Sequence, residues 1–370
     1  MPLRVMQVLH QGGGAGSVAS TLHLSLGLQR SGAEVVFVCP PGSEVEALAA
    51  GGGLTIVPLA LEAGARRANA AALAQVLARY RPAVVNSQSA RDRGALTWLR
   101  LSGRLSTPLV LTRRQMPRTF FLENWITSRS ADRVIAVSHA VARALRRRGT
   151  PAHKLAVIHN GLIAARVDRE VSDRALFDWK DRIGWTPAQR TVGIIARPKD
   201  QRVVLQALRL MRTPVRLVLA GVAPSSEMAK SAQAAGAPHA VVCLPFLPDV
   251  MPLYRLLDAA LLPSRMEGFS QSLLEAMALG KPVIASAAGG NPELVTDAVD
   301  GLLVPPLDPA AWAAALERVL TDAPLATRLG EAARRTARER FTLERTVAHT
   351  LELYRSLVSS AALAPATPHG

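Results

Sequence analysis

Residues Pro263 to Pro282 read PSRMEGFSQSLLEAMALGKP, and the fold is decided there. The apolar run Ala259-Ala260-Leu261-Leu262 just before them reads as a buried strand. Pro263, Ser264 and Gly268 break the pattern and mark a loop. Ser270 stands where the N-cap of the next helix belongs. Gly280 stands at the left-handed position just past that helix, and Pro282 prevents continuation. The unit is strand, loop, helix, stop.

Glu275 is the odd residue of that helix, flanked by Leu273, Leu274, Ala276, Met277, Ala278 and Leu279. A helix apolar on nearly every side is a buried one. A carboxylate inside it needs hydrogen-bond donors or a cation. A vicinal diol such as a ribose would supply two donors; an arginine would serve as well. Glu267, in the preceding loop, is either a ligand for a sugar or a solvated side chain. The helix start offers N–H groups and the positive dipole end to an anion. Spacing alone leaves these alternatives open.

The segment resembles the E-x7-E signature of the retaining, GT-B-fold glycosyltransferases of family 4. The matching residues are Glu267-Gly268-Phe269-Ser270 and Glu275, then Gly280-Lys281-Pro282-Val283-Ile284-Ala285-Ser286. Gly289-Gly290, Pro292-Glu293-Leu294-Val295 and Asp300-Gly301-Leu302-Leu303-Val304 extend the match. The resemblance implies an α/β chain of two Rossmann-like, doubly wound domains facing a cleft. It implies that Glu275 holds a ribose, and that Glu267 with the backbone of Gly268, Phe269 and Ser270 holds the donor sugar.

Length suits two domains. Hydrophobic residues make up 49% of the chain and aromatics 4%, so the cores are built from Ala, Leu and Val. Cys39 and Cys243 lie far apart in apolar runs and read as buried free thiols of a reducing compartment. No run of about 20 apolar residues appears, so no spanning helix is expected. The start, MPLRVMQVLH, reads as a core strand and not a signal peptide. The expected location is the cytoplasm, at or near the inner face of the membrane. A net charge of +16 suits phosphates or an anionic surface; the alternative is a solvated, arginine-biased exterior.

Val5–Leu9, the loop His10–Ser17 (HQGGGAGS), a helix to about Arg30 and a strand Val35–Cys39 form a βα unit. Gly12, Gly14 and Ser17 half match a dinucleotide fingerprint. Cys39-Pro40-Pro41 stands where the acidic residue of that fingerprint belongs, which disfavours NAD. By the resemblance this loop touches the donor or the acceptor, through Gly14 and Gly16. Further strands are expected near 54–57, 83–86, 109–112, 134–137 and 155–158. Ser138 ends a stretch, SADRVIAVS from Ser130, that resembles the family's, and Asn160-Gly161 its closing turn. His139 and His159 read as structural. The N-terminal domain is expected over residues 1–165, with a helix at about 342–358 packing back onto it. A linker with one helix follows, then a donor domain over 166–341, with six strands between 191 and 304. Residues 361–370 read as a disordered tail.

Arg197 and Lys199 align with the family's Arg and Lys, which face the leaving diphosphate. The loop holding them is shorter than usual, and Asp200 replaces the Gly. A second departure lies after the strand at 109–112. Thr112-Arg113-Arg114-Gln115 puts Arg114 where a His contacts the transferred sugar, and Gln88 where another His is frequent. Arg114 suits a phosphate or a charged acceptor. No D-x-D ends a strand and no zinc spacing appears, so no metal or other cofactor is expected. RRQMPRTFFLENW (113–125) and ARALRRR (142–148) mix cations with apolar residues, as a peripheral contact with an anionic bilayer would; core aromatics with solvated arginines are the alternative.

The expected activity is retaining transfer from a nucleotide-sugar to a glycan or lipid-linked acceptor, in polysaccharide or lipopolysaccharide synthesis. Arg197 and Lys199 would stabilise the departing diphosphate. The rivals are a nucleotide-sugar epimerase and a non-catalytic cationic binding protein. Nucleic acid is disfavoured, because no aromatic-basic RNA motif is present.

Overall fold

A computed structural model describes residues 2–13, 16–117, 120–233 and 238–363. The chain divides into two compact units, 1–161 with 343–370, and 162–342. The division falls at Gly161 rather than near 165. Leu162 donates its N–H to Phe341 O at 2.7 Å and bridges Thr342, which ties both ends of the second unit together.

The first unit holds seven parallel strands: β1 (Arg4–Val8), β2 (Glu34–Cys39), β3 (Thr55–Pro58), β4 (Val84–Ser87), β5 (Leu109–Arg113), β6 (Arg133–Ala136) and β7 (Leu155–Val157). Their order is β3-β2-β1-β4-β5-β6-β7. The inner strands are runs of Val, Ile, Leu and Ala buried along their length, as helix-covered parallel strands must be. The last helix, Leu343–Leu363, belongs to this unit. Val347, Leu351, Tyr354 and Leu357 are buried in one core with Val5, Phe37 and Leu28. Gly27 lets it come close to the helix Gly16–Arg30: a Cβ there would lie 2.5 Å from Val347. The helix runs five residues past the expected end at 358, through the first part of the expected tail. The remainder, 364–370, lies outside the described residues.

The second unit holds β8 (Arg190–Ile195), β9 (Val215–Ala220), β10 (Ala240–Leu244), β11 (Ala259–Leu262), β12 (Val283–Ser286) and β13 (Leu302–Val304). Their order is β10-β9-β8-β11-β12-β13, all parallel. Both sheets are therefore doubly wound, with the strand order reversing between β1 and β4 and between β8 and β11. Ligands of such sheets bind outside the carboxyl ends of the strands at the reversal. Trp312, Leu217, Ile284 and Leu316 fill the second core. The expected single linker helix is two, Ala164–Val167 and Asp173–Ile183, because Ser172 caps a new start. Cys39 is buried as expected, while Cys243 is only half-buried, since β10 is an edge strand.

Candidate functional site

In the second unit, the loops after β8 and β11 meet at the strand-order reversal. Lys199 Nζ donates to Glu267 Oε2. The loop carrying Lys199 is folded around Gln201, buried at its centre. Gln201 accepts from the Lys199 N–H and donates to Arg197 O at 2.8 Å. Asp200, in the family's Gly position, accepts from the Arg265 N–H at 2.9 Å and pairs with Arg265 Nε at 3.2 Å. The unusual residue thus stitches the two loops together.

Two glycines hold this geometry. Gly289 has φ +59°, and a Cβ there would lie 2.6 Å from Glu267 O. Gly290 donates its N–H to that same oxygen at 2.9 Å. Gly221 has φ +101°, and a Cβ there would lie 2.8 Å from Ala196 O, next to Arg197. Only glycine tolerates both the left-handed backbone and the contact. Asn291 adds a clamp, its Nδ2 donating to Ser264 O at 3.3 Å and Ser286 O at 3.1 Å.

The helix Gln271–Ala278 starts at Ser270, whose hydroxyl accepts from the Leu273 N–H at 3.3 Å. The Phe269 ring turns inward, 5.2 Å from Phe341, so only its backbone can serve a ligand. Glu275 is buried, as its apolar flanks predict. Its Oε1 lies 3.1 Å from Arg166 Nε, and Tyr254, whose hydroxyl donates to Ser272 O at 2.9 Å, lies close by. Burial pushes the Glu275 carboxyl above the usual carboxylate range; Arg166 and Tyr254 pull it only part of the way back. The arginine alternative is therefore realised. A carboxylate has about four lone-pair sites, so the contact with Arg166 leaves room for a diol.

The first unit carries a second polar cluster at its own reversal. Tyr354 on the last helix receives Gln7 Nε2 at 3.1 Å and Asn86 Nδ2 at 2.6 Å. Thr112 donates to Asn86 Oδ1 at 3.0 Å. Gln88 Nε2 donates to Gln7 Oε1 at 2.6 Å, and Arg114 Nη1 donates to Gln88 Oε1. Burial pushes the Arg114 guanidinium down to about 10, which leaves it charged at neutral pH. Its Nε is buried with no hydrogen-bond partner. Asp92 is fully buried, and hydrogen bonds from His10, Ser89 and Ser87 outweigh burial and hold its carboxyl low.

Lys199 and Glu267 are thus brought together, with Arg197 exposed on the same loop. Gly268 and Ser270 lie in the turn into the Glu275 helix. Gly16 opens the helix Gly16–Arg30 in the other unit, and Gly14 lies outside the described residues. His139 and His159 meet edge to face, with ring centroids 6.0 Å apart. Arg166, Tyr254, His10 and Asp92 are the polar partners that the motif reading misses; only the fold brings them together. No group of three His, Cys, Asp or Glu suited to a metal occurs among the described residues. No helix among them is long and apolar enough to cross a membrane.

Two family models match the chain in consecutive parts: Glycosyltransferase Family 4 over residues 14–166, and Glycosyl transferases group 1 over 190–336. A D-inositol 3-phosphate glycosyltransferase of Salinispora arenicola is 44% identical over 112 residues, 30% of this chain and 25% of that protein. One from Corynebacterium urealyticum is 34% identical over 191 residues, 48% of this chain and 45% of that protein. The matches thus span between a quarter and about half the length of these curated relatives. Among solved structures, Anabaena HepE in complex with UDP and glucose superposes with a TM-score of 0.83 at 20% identity, over 96% of this chain and all of that one.

Proposed function

The chain belongs to the family 4 glycosyltransferases, of GT-B fold, and from that premise we propose that it transfers a sugar from a nucleotide-sugar donor with retention of configuration. The observation that carries this reading is the meeting of Lys199 and Glu267 at the β8–β11 reversal, one turn of loop away from the Glu275 helix.

Glu275 would take the ribose hydroxyls, on the lone pairs that Arg166 leaves open. The backbone of Gly268, Phe269 and Ser270 and the side chain of Glu267 would hold the sugar. Arg197 and Lys199 would stabilise charge on the diphosphate as the bond to the anomeric carbon breaks, an effect worth about 10²–10³ in rate per donor group. In a front-face displacement the departing phosphate takes the acceptor proton, so no protein nucleophile is required. No metal enters this scheme, because the two cations do its electrostatic work.

The donor to try first is UDP-glucose, since a structural neighbour binds UDP and glucose. Arg114 would meet the acceptor, and a guanidinium suits an anionic one. The inositol phosphate in the relatives' names supports a phosphorylated acceptor. A glycan or lipid-linked acceptor of surface polysaccharide or lipopolysaccharide is what the resemblance implies. Peripheral membrane contact is supported by Phe120, 86% exposed, beside exposed Phe121 and Leu122, with Arg129 stacked 4.7 Å from the Trp125 ring.

The test is transfer of labelled glucose from UDP-glucose to D-inositol 3-phosphate, with the anomeric configuration of the product read by NMR. An α-linked product is expected. A β-linked product would overturn retention, and release of a free or isomerised sugar would favour the epimerase reading.

A further inference from the structure

His10 stands just past β1, at the strand-order reversal of the first sheet. Its Nδ1 lies 3.1 Å from Asp92 Oδ1 and 2.5 Å from Ser89 Oγ. Asp92 accepts from Ser87 Oγ at 2.7 Å and from the N–H groups of Gln88 and Ser89, each at 2.8 Å. That many donors keep a buried carboxylate ionised. The Ser89 hydroxyl hydrogen is also directed at Asp92 Oδ1. Both neighbours of Nδ1 therefore present lone pairs to it. Nδ1 therefore carries a proton, and in the neutral ring Nε2 keeps its lone pair. No atom of the described residues bonds Nε2, and the side chain is 13% exposed. A buried carboxylate that fixes the tautomer of a histidine and leaves its far nitrogen open is how proteins prepare that nitrogen for a ligand.

We propose that His10 Nε2 accepts a hydrogen bond from a hydroxyl of the acceptor. This rests on the glycosyltransferase reading above. Gln88 joins His10 to Arg114: its backbone N–H bonds Asp92, and its side chain bonds Arg114. One connected network thus offers a cation at one end and a lone pair at the other. The ligand class it fits is an anionic polyol. In a front-face displacement the reacting hydroxyl gives its proton to the departing phosphate. His10 therefore reads a different hydroxyl, and the acceptor carries at least two. His10 sets acceptor affinity and orientation and is not the base.

His10→Asn separates this role from the contact with Asp92, because its side-chain N–H can replace Nδ1–H there while nothing replaces Nε2. With UDP-glucose and D-inositol 3-phosphate, the variant should raise the acceptor KM about tenfold, the effect of losing one hydrogen bond. Stabilisation by UDP should be unchanged. Long-range 1H–15N NMR of 15N-histidine-labelled wild type should show the Nδ1–H tautomer, with the Nε2 resonance displaced by D-inositol 3-phosphate. An Nε2–H tautomer, an Nε2 resonance that this probe leaves unmoved, or an unchanged acceptor KM overturns the proposal. A protein that binds no nucleoside diphosphate overturns the transferase reading instead, so the two failures are distinct.

Discussion

Arg166 reaches Glu275 from the short helix Ala164–Val167, Nε to Oε1 at 3.1 Å, and so provides the cation that a carboxylate in an apolar helix requires. Removing it leaves Glu275 buried with only Tyr254 beside it. Arg166→Ala should destabilise the second unit by about 2 kcal/mol at pH 8, less than a fully buried pair would lose, because Arg166 is partly exposed. Burial already raises the carboxyl, and without Arg166 it rises further. A raised folded-state pKa favours the protonated form, so stability falls as pH rises through the window above the unfolded value. The deficit should therefore shrink from pH 8 to pH 5, as read by urea denaturation at both values.

Asp92 has the opposite sign. Burial pushes its carboxyl up, but the hydrogen bonds from His10, Ser89 and Ser87 win, and the folded-state pKa lies below the ordinary value. Its contribution is present above about pH 4 and is lost as pH falls through the depressed folded value. Asp92→Asn sets an amide against donors and should cost about 2–3 kcal/mol at pH 7. Wild type and variant should converge in stability as pH falls below that depressed folded value. Denaturation curves across that range check this.

Gly289→Ala should act on the site more than on the fold. Its φ of +59° costs a non-glycine residue about 1 kcal/mol. The added methyl would also meet Glu267 O at 2.6 Å and push that loop aside. We expect a small fall in Tm with a loss of nucleotide-sugar affinity of tenfold or more. Calorimetry for both quantities decides it; unchanged affinity would detach Gly289 from the donor site.

Lys199 and Glu267 are 35% and 16% exposed, so their ion pair should add less than about 1 kcal/mol to stability. Lys199→Met should therefore leave the Tm nearly unchanged. Turnover should nonetheless fall about 10²-fold if the ammonium stabilises the leaving diphosphate. Steady-state kinetics beside a melting curve separates the two effects.

Much of this was legible in the residues. Buried parallel strands are continuous apolar runs, and β11 and β12 lie where such runs stand. Ser270 caps its helix, and Gly280 has φ +72° just after it, because caps and left-handed stops depend on local chemistry. The polar partners were not legible. Which of many arginines meets Glu275, and that His10 meets Asp92 across 82 positions, depend on the winding of each sheet. Gly289 carries no local turn signal that points to Glu267, because its constraint comes from a neighbouring loop. Asp200 departs from the family pattern, and only the fold shows the backbone it ties.

The central claim is that the second unit binds a nucleotide-sugar through Glu275. It is tested most directly by thermal stabilisation with UDP, GDP, ADP and CDP, on wild type and on Glu275→Ala, since a ligand bound only by the native state raises the Tm. A rise is expected with one of the four nucleotides, UDP first among them, and its loss in Glu275→Ala while that variant stays folded. No rise with any of the four, or a rise that Glu275→Ala retains in full, would contradict it.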